Sequence, residues 1–268
     1  MLYYEALRRS DQFSWVVFIH GAGGSIQTWK FQRKAFAGLA NLLFIDLRDH
    51  GKSQHMPFRR NYDFEMVSNE ILEILDHEKI KSAVFISLSF GSVLLQDLAI
   101  RSPGRIKGAI LAGAIFRANW KIRTFIHSAR IMNLFLPYRQ MYSLFSYLLM
   151  PKAQHQFSRR IYRMQARKIK PEAYMRWIGL YDEFFQLLDR FWNQPLPFPA
   201  MVVMGEQDFV FLTAARSFSA CRENVSLQLI SGAGHICNID KPAVFNQISI
   251  EFIKSADLLT VEKNLSEN

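Results

Sequence analysis

The stretch Ser87-Leu88-Ser89-Phe90-Gly91 constrains the fold of this chain more than any other. Before it runs Ser82-Ala83-Val84-Phe85-Ile86, apolar and partly β-branched, which reads as a buried strand. After it runs Ser92–Ile100, which reads as a helix. A serine at such a junction, with small residues two positions to either side, is the geometry of a nucleophile elbow. The turn is tight, so large neighbours do not fit, and it lifts the serine oxygen clear of the sheet. The pattern G-x-S-x-G is met with one departure, because Ser87 stands where glycine is usual. Serine is small enough for that place, at the cost of a slightly more crowded turn.

Two later residues extend the pattern. Asp208 follows the strand-like run Ala200–Met204, in the loop Gly205-Glu206-Gln207-Asp208. His235 follows Val225–Ile230, in the loop Ser231-Gly232-Ala233-Gly234-His235. Both loops leave the carboxyl ends of apparent strands, where open α/β sheets gather their sites. The order serine, acid, histidine is the chain order of the nucleophile-elbow hydrolases. Glu206, two residues from Asp208, competes for the place of the acid. Two earlier turns also stand out. His20-Gly21-Ala22-Gly23-Gly24-Ser25 follows the strand Trp15–Ile19, and Asp46-Leu47-Arg48-Asp49-His50-Gly51-Lys52-Ser53 follows Leu42–Ile45.

On these motifs the chain resembles the α/β-hydrolase family, in its serine-nucleophile, capped, esterase- and lipase-like branch. The resemblance covers nearly the whole chain except a middle insertion. It implies an α/β fold: a mostly parallel, doubly wound sheet flanked by helices, with an inserted helical cap. It also implies roles. Ser89 is the nucleophile, His235 the base that activates it, and Asp208 the acid that orients the imidazole. The backbone N–H groups of Ala22 and Phe90 form the oxyanion hole. His20 supports the oxyanion loop, and His20, Gly21 and Leu88 are expected to border the substrate pocket. Asp46 and Arg48 brace the loop beneath. A serine at the elbow argues against haloalkane dehalogenases and epoxide hydrolases of this fold, which use an aspartate.

At 268 residues, half of them hydrophobic, the chain suits one α/β domain with an insertion. The core is expected over 1–115 and 196–268, and the helical cap over 116–195. A helix is expected over Asp63–Ile80 and a last one over Pro242–Lys254, with a tail after Ala256 polar enough to fray. The first ten residues lack the basic-then-apolar order of a secretory signal, and no apolar run approaches the ~18 residues of a membrane span. A cytoplasmic location is therefore expected. Cys221 and Cys237 match no zinc or redox spacing and read as reduced thiols. The histidines form no ligand set, so no metal is expected, and no cofactor.

Charge singles out the insertion. Residues 116–195 hold 14 Lys and Arg against Glu172, Asp182, Glu183 and Asp189, a net +10 equal to that of the whole chain. Aromatics are dense there, among them Trp120, Phe125, Phe135, Tyr138, Tyr142, Tyr147, Phe157 and Trp177. Three readings compete: a cap with solvated arginines outside and aromatics packed inside, a face for anionic lipid, or a field drawing in an anionic substrate or acyl carrier. Nucleic acid is not expected, because no recognised module accompanies the charge. The expected partner is a small ester, thioester or lactone, turned over through an acyl-enzyme. Alternatives are C–C hydrolysis, perhydrolysis or a lyase step on a carboxylate substrate, which an inward Arg123 or Arg163 would favour, and a non-enzymatic sensing role. The sequence carries no signal for an oligomeric state.

Overall fold

The computed structural model describes residues 1–57, 62–117, 123–124, 127–128, 131–132 and 135–259. Its strands are β1 (Tyr4–Leu7), β2 (Trp15–Ile19), β3 (Asn41–Ile45), β4 (Ala83–Leu88), β5 (Ile106–Ala112), β6 (Ala200–Gly205) and β7 (Val225–Ile230). They form one sheet in the order β1-β3-β2-β4-β5-β6-β7, parallel throughout except for β1, which pairs antiparallel with β3 at the edge. Every residue of β2, β3, β4 and β6 is buried. That is why these strands read as unbroken apolar runs and not as alternating ones: helices cover both faces of a parallel sheet.

Helices α1 (Lys30–Phe36), α2 (Phe64–His77) and α3 (Phe90–Arg101) come from the first half of the chain. Between β5 and β6 lie α4 (Tyr138–Leu149), α5 (Gln156–Ala166), α6 (Pro171–Gly179) and α7 (Tyr181–Trp192). After β6 follow α8 (Leu212–Ala220), the short α9 (Cys237–Asp240) and α10 (Pro242–Ser255). Helix α2 begins where Asp63 caps it, its carboxylate accepting from Met66 N–H at 2.7 Å. It ends three residues before the expected Ile80. Lys79 turns to a φ of +56°, and Ile80 N–H bonds back to Leu75 O at 2.7 Å, the closure of a helix by a left-handed residue.

No strand interrupts 116–195 among the described residues. Trp120 and Phe125, and the tail from 260 on, lie outside them. Polar contacts from several helices tie this segment to the core, among them two to helices and loops in the amino half of the chain. Arg176 of α6 donates to Asp49 (Nε to Oδ2, 3.2 Å), and Glu183 of α7 accepts from Phe64 N–H at 3.1 Å, where a carboxylate meets the amino end of α2. The expectation of outward, solvated arginines fails at Arg159. Its side chain is buried and donates to the carbonyl of Met150, which caps the end of α4, and to that of Lys152, which also accepts from His155 N–H. Among the described residues no helix is long and apolar enough to cross a membrane.

Candidate active site

Strand β4 runs two residues past its expected end and delivers Ser89 directly from the sheet. Ser89 N–H still bonds to Ala112 O on β5 at 2.8 Å, and its own carbonyl already accepts from Ser92 N–H at 2.8 Å. Between those two commitments the residue takes φ +52° and ψ −121°, a strained region for a residue with a Cβ. A Cβ on Gly91 would stand 2.5 Å from His20 O and 2.7 Å from Ile19 O. Both are backbone atoms that cannot step aside, so glycine is required there. Ser87 is accommodated: it is buried in β4 with its hydroxyl 3.5 Å from Ile110 O.

Three side chains distant in sequence meet at this turn. His235 Nε2 lies 2.7 Å from Ser89 Oγ, and His235 Nδ1 lies 2.7 Å from Asp208 Oδ2. With a neutral imidazole, the serine hydroxyl donates to Nε2 and Nδ1–H donates to the carboxylate. The other Asp208 oxygen accepts from Val210 and Phe211 N–H at 3.2 and 3.1 Å, so the buried carboxylate is held by three donors. Glu206 is exposed and turned away, accepting from Ser231 Oγ at 2.9 Å. The two loops close on each other at Gly205, where a Cβ would stand 2.1 Å from Gly234 O.

The loop after β2 is fixed by two buried histidines. His20 Nδ1 donates to Gly21 O at 2.8 Å, and its Nε2 accepts from Leu47 N–H at 3.0 Å. His50 Nδ1 donates to Arg48 O at 2.7 Å, and its Nε2 accepts from Gly23 N–H at 3.0 Å. Burial pushes each imidazole down to about 4, so both are neutral. Asp46 braces the same region, its two oxygens accepting from Ile26 and Lys52 N–H at 2.7 and 2.8 Å. Arg48 is buried against Glu70, as a brace beneath the site. The sequence reading missed His50 and Asp240. Asp240 accepts from Gly234 N–H at 2.7 Å and takes the Ser158 hydroxyl on its other oxygen, so it ties the histidine loop to α5. No motif marks either residue; each acts through a ring or carboxylate aimed by the fold.

Ser89 opens on a cavity of about 770 Å³. Ala22 and Phe90 line it beside the serine, and Phe90 opens α3, where first-turn N–H groups have no acceptor within the helix. Most of the remaining wall comes from the segment between β5 and β6, including Tyr142, Phe145, Tyr162 and Trp177. No charged side chain lines the cavity among the described residues. Arg123 instead lies over the Phe185 ring at 4.2 Å, and Arg163 stands 5.8 Å from the Tyr147 ring. His20 does not border the cavity as expected, because it is fully buried with both nitrogens engaged by backbone. Gly21 and Leu88 face a recess of about 30 Å³ behind Ser89 and His235.

This sheet, with its elbow and the three side chains gathered at its carboxyl edge, has the architecture of an α/β-hydrolase. A model of the Alpha/beta hydrolase family matches residues 16–248, and the chain belongs to that family. It is 22% identical over 259 residues, 90% of each chain, to a Bacillus subtilis (strain 168) protein whose name assigns it as a 2-succinyl-6-hydroxy-2,4-cyclohexadiene-1-carboxylate synthase. Among solved structures, Est816, described as an N-acyl homoserine lactone degrading enzyme, superimposes with a TM-score of 0.79 at 18% identity, over 94% of this chain and 96% of that one. The enol-lactonase from Burkholderia xenovorans LB400 does so with a TM-score of 0.75 at 21% identity, over 94% and 96%. At these identities the likeness to both structures is one of fold.

Proposed function

We propose that the protein is a serine hydrolase that cleaves carboxylic esters, thioesters or lactones bearing an apolar acyl group. The observation that carries this reading is one continuous hydrogen-bond chain, Ser89–His235–Asp208, opening on a cavity whose described lining is uncharged. In the first step Ser89 Oγ attacks the substrate carbonyl while its proton passes to His235 Nε2. The N–H groups of Ala22 and Phe90 receive the charge that develops on the carbonyl oxygen, where one such donor is worth about 3 kcal/mol. The imidazolium, stabilised by Asp208, returns its proton to the leaving oxygen or sulfur, and the acyl-enzyme remains. Water then attacks that ester with His235 as base, and the acid departs. Residues 116–195 act as a cap that shapes the acyl site and keeps water from screening these dipoles.

C–C hydrolysis, perhydrolysis or lyase chemistry on a carboxylate substrate has less support. Such a substrate asks for a cation in the cavity wall, and the described wall is uncharged. A purely sensing role has no need of a serine held at 2.7 Å from its base.

A series of p-nitrophenyl esters from acetate to palmitate tests the reading, with Ser89→Ala as control. Turnover by the parent protein is expected to fall at least ~10⁴-fold in the variant, and the chain-length optimum reports the depth of the acyl site. Turnover that survives in folded Ser89→Ala would overturn it.

A further inference from the structure

We propose that the rim of the cavity is a docking surface for an anionic lipid bilayer. The rim consists of side chains that line the cavity and also face solvent: Tyr147 at 50% exposure, Leu148 at 44% and Phe209 at 62%. Leu144, 45% exposed, extends the patch along α4, because positions 144, 147 and 148 share one face of a helix. Scattered apolar side chains on a surface need no explanation, but a continuous patch around a cavity mouth marks an interaction surface.

Cations stand among these side chains. Lys152 Nζ lies 5.4 Å from the centre of the Phe209 ring, and the Arg163 guanidinium lies 5.8 Å from that of Tyr147. Helix α5, which carries Arg163, also exposes Arg160, Phe157 and Met164. The surrounding segment, residues 116–195, accounts for the whole +10 net charge of the chain. A bilayer with anionic headgroups answers both features at once: the apolar side chains enter the acyl boundary while the cations stay at the phosphates. An acidic protein would match the charge and leave the protruding apolar rim unexplained. Because rim and cavity wall are continuous, an acyl chain drawn from the bilayer would reach Ser89 without crossing water. That last step alone rests on the proposed ester chemistry; the docking does not.

The test uses the full chain carrying Ser89→Ala, so that docking is read without turnover. Vesicles of phosphatidylcholine, with or without about 30 mol % phosphatidylglycerol, are floated and the bound fraction measured. Binding to the anionic vesicles is expected to be at least roughly tenfold tighter and to weaken as salt is raised. Phe209→Ser is expected to weaken it several-fold, and Lys152→Glu with Arg163→Glu to remove the preference for anionic lipid. Circular dichroism checks the fold of each variant, and the single exposed Phe209 keeps the test readable if the double variant unfolds. Equal partition into both vesicle types would overturn the proposal. So would anionic binding untouched by either variant, or capture by poly-glutamate with no vesicle binding.

Discussion

Asp208 and Glu206 sit two positions apart in one loop with the same charge, and only their surroundings separate them. Asp208 is buried with three donors on its carboxylate, one of them His235. Glu206 faces solvent and holds a serine hydroxyl. If the proposed chemistry holds, Asp208→Asn is expected to lower kcat by about 10⁴-fold, since an amide favours the wrong imidazole tautomer. Glu206→Gln is expected to leave kcat within about twofold, as a surface change away from the reacting atoms. Steady-state kinetics on one ester decide between them, and the reverse ranking would move the acid to Glu206. Ser87 teaches the same lesson in small: the pattern left its fit open, and the fit was decided by room beside β5.

At the scale of elements, the fold spends two buried charges on aiming a turn. Arg48, 2% exposed, and Glu70, 1% exposed, pair between the loop after β3 and helix α2, and Arg48 also donates to Pro57 O at 2.9 Å. Such a pair adds little net stability over an apolar one, but breaking it strands a charge in the interior. Glu70→Gln is therefore expected to destabilise the fold by about 3–5 kcal/mol, read as a shift of the urea midpoint. A loss below about 1 kcal/mol would mean that water relieves Arg48. The strands were legible because each buried strand is an apolar run between turn residues. The end of β4 was not, since it continues for as long as its neighbour supplies ladder partners: Ser87 pairs with Leu111 and Leu88 with Ala112.

For the whole molecule, His20 and His50 couple stability to pH. Both are neutral in the fold, held down to about 4 from an ordinary 6.5 by burial. Below pH 6.5 the unfolded chain takes up protons at these positions while the native state does not, so acid favours unfolding. Stability is expected to be flat in this respect above pH 7 and to fall as pH is lowered from 6.5 to 4, by roughly 3 kcal/mol for each histidine taken alone. Urea midpoints across that range check it, and His50→Asn should remove about half of the slope. A midpoint unchanged between pH 7 and 4.5 would show that the two rings take up protons in the fold over the same range as in the unfolded chain.

The sequence by itself determined the class of fold and the cast of the site. Ser89, Asp208 and His235 each follow a recognisable strand, and the strand pattern is local, written in apolar runs and small turn residues. What only the tertiary structure decided is direction. It turned Asp208 inward and Glu206 outward, kept His20 out of the cavity it was expected to border, enlisted His50 and Asp240, and folded Arg159 onto the end of α4. It also left the described wall of the cavity uncharged beside the most basic segment of the chain. A residue's type fixes which bonds it can make. Which partner it meets depends on other elements of the fold, as His235 meets Asp208 27 positions before it and Ser89 146 positions before it, and that choice is settled only when the core packs.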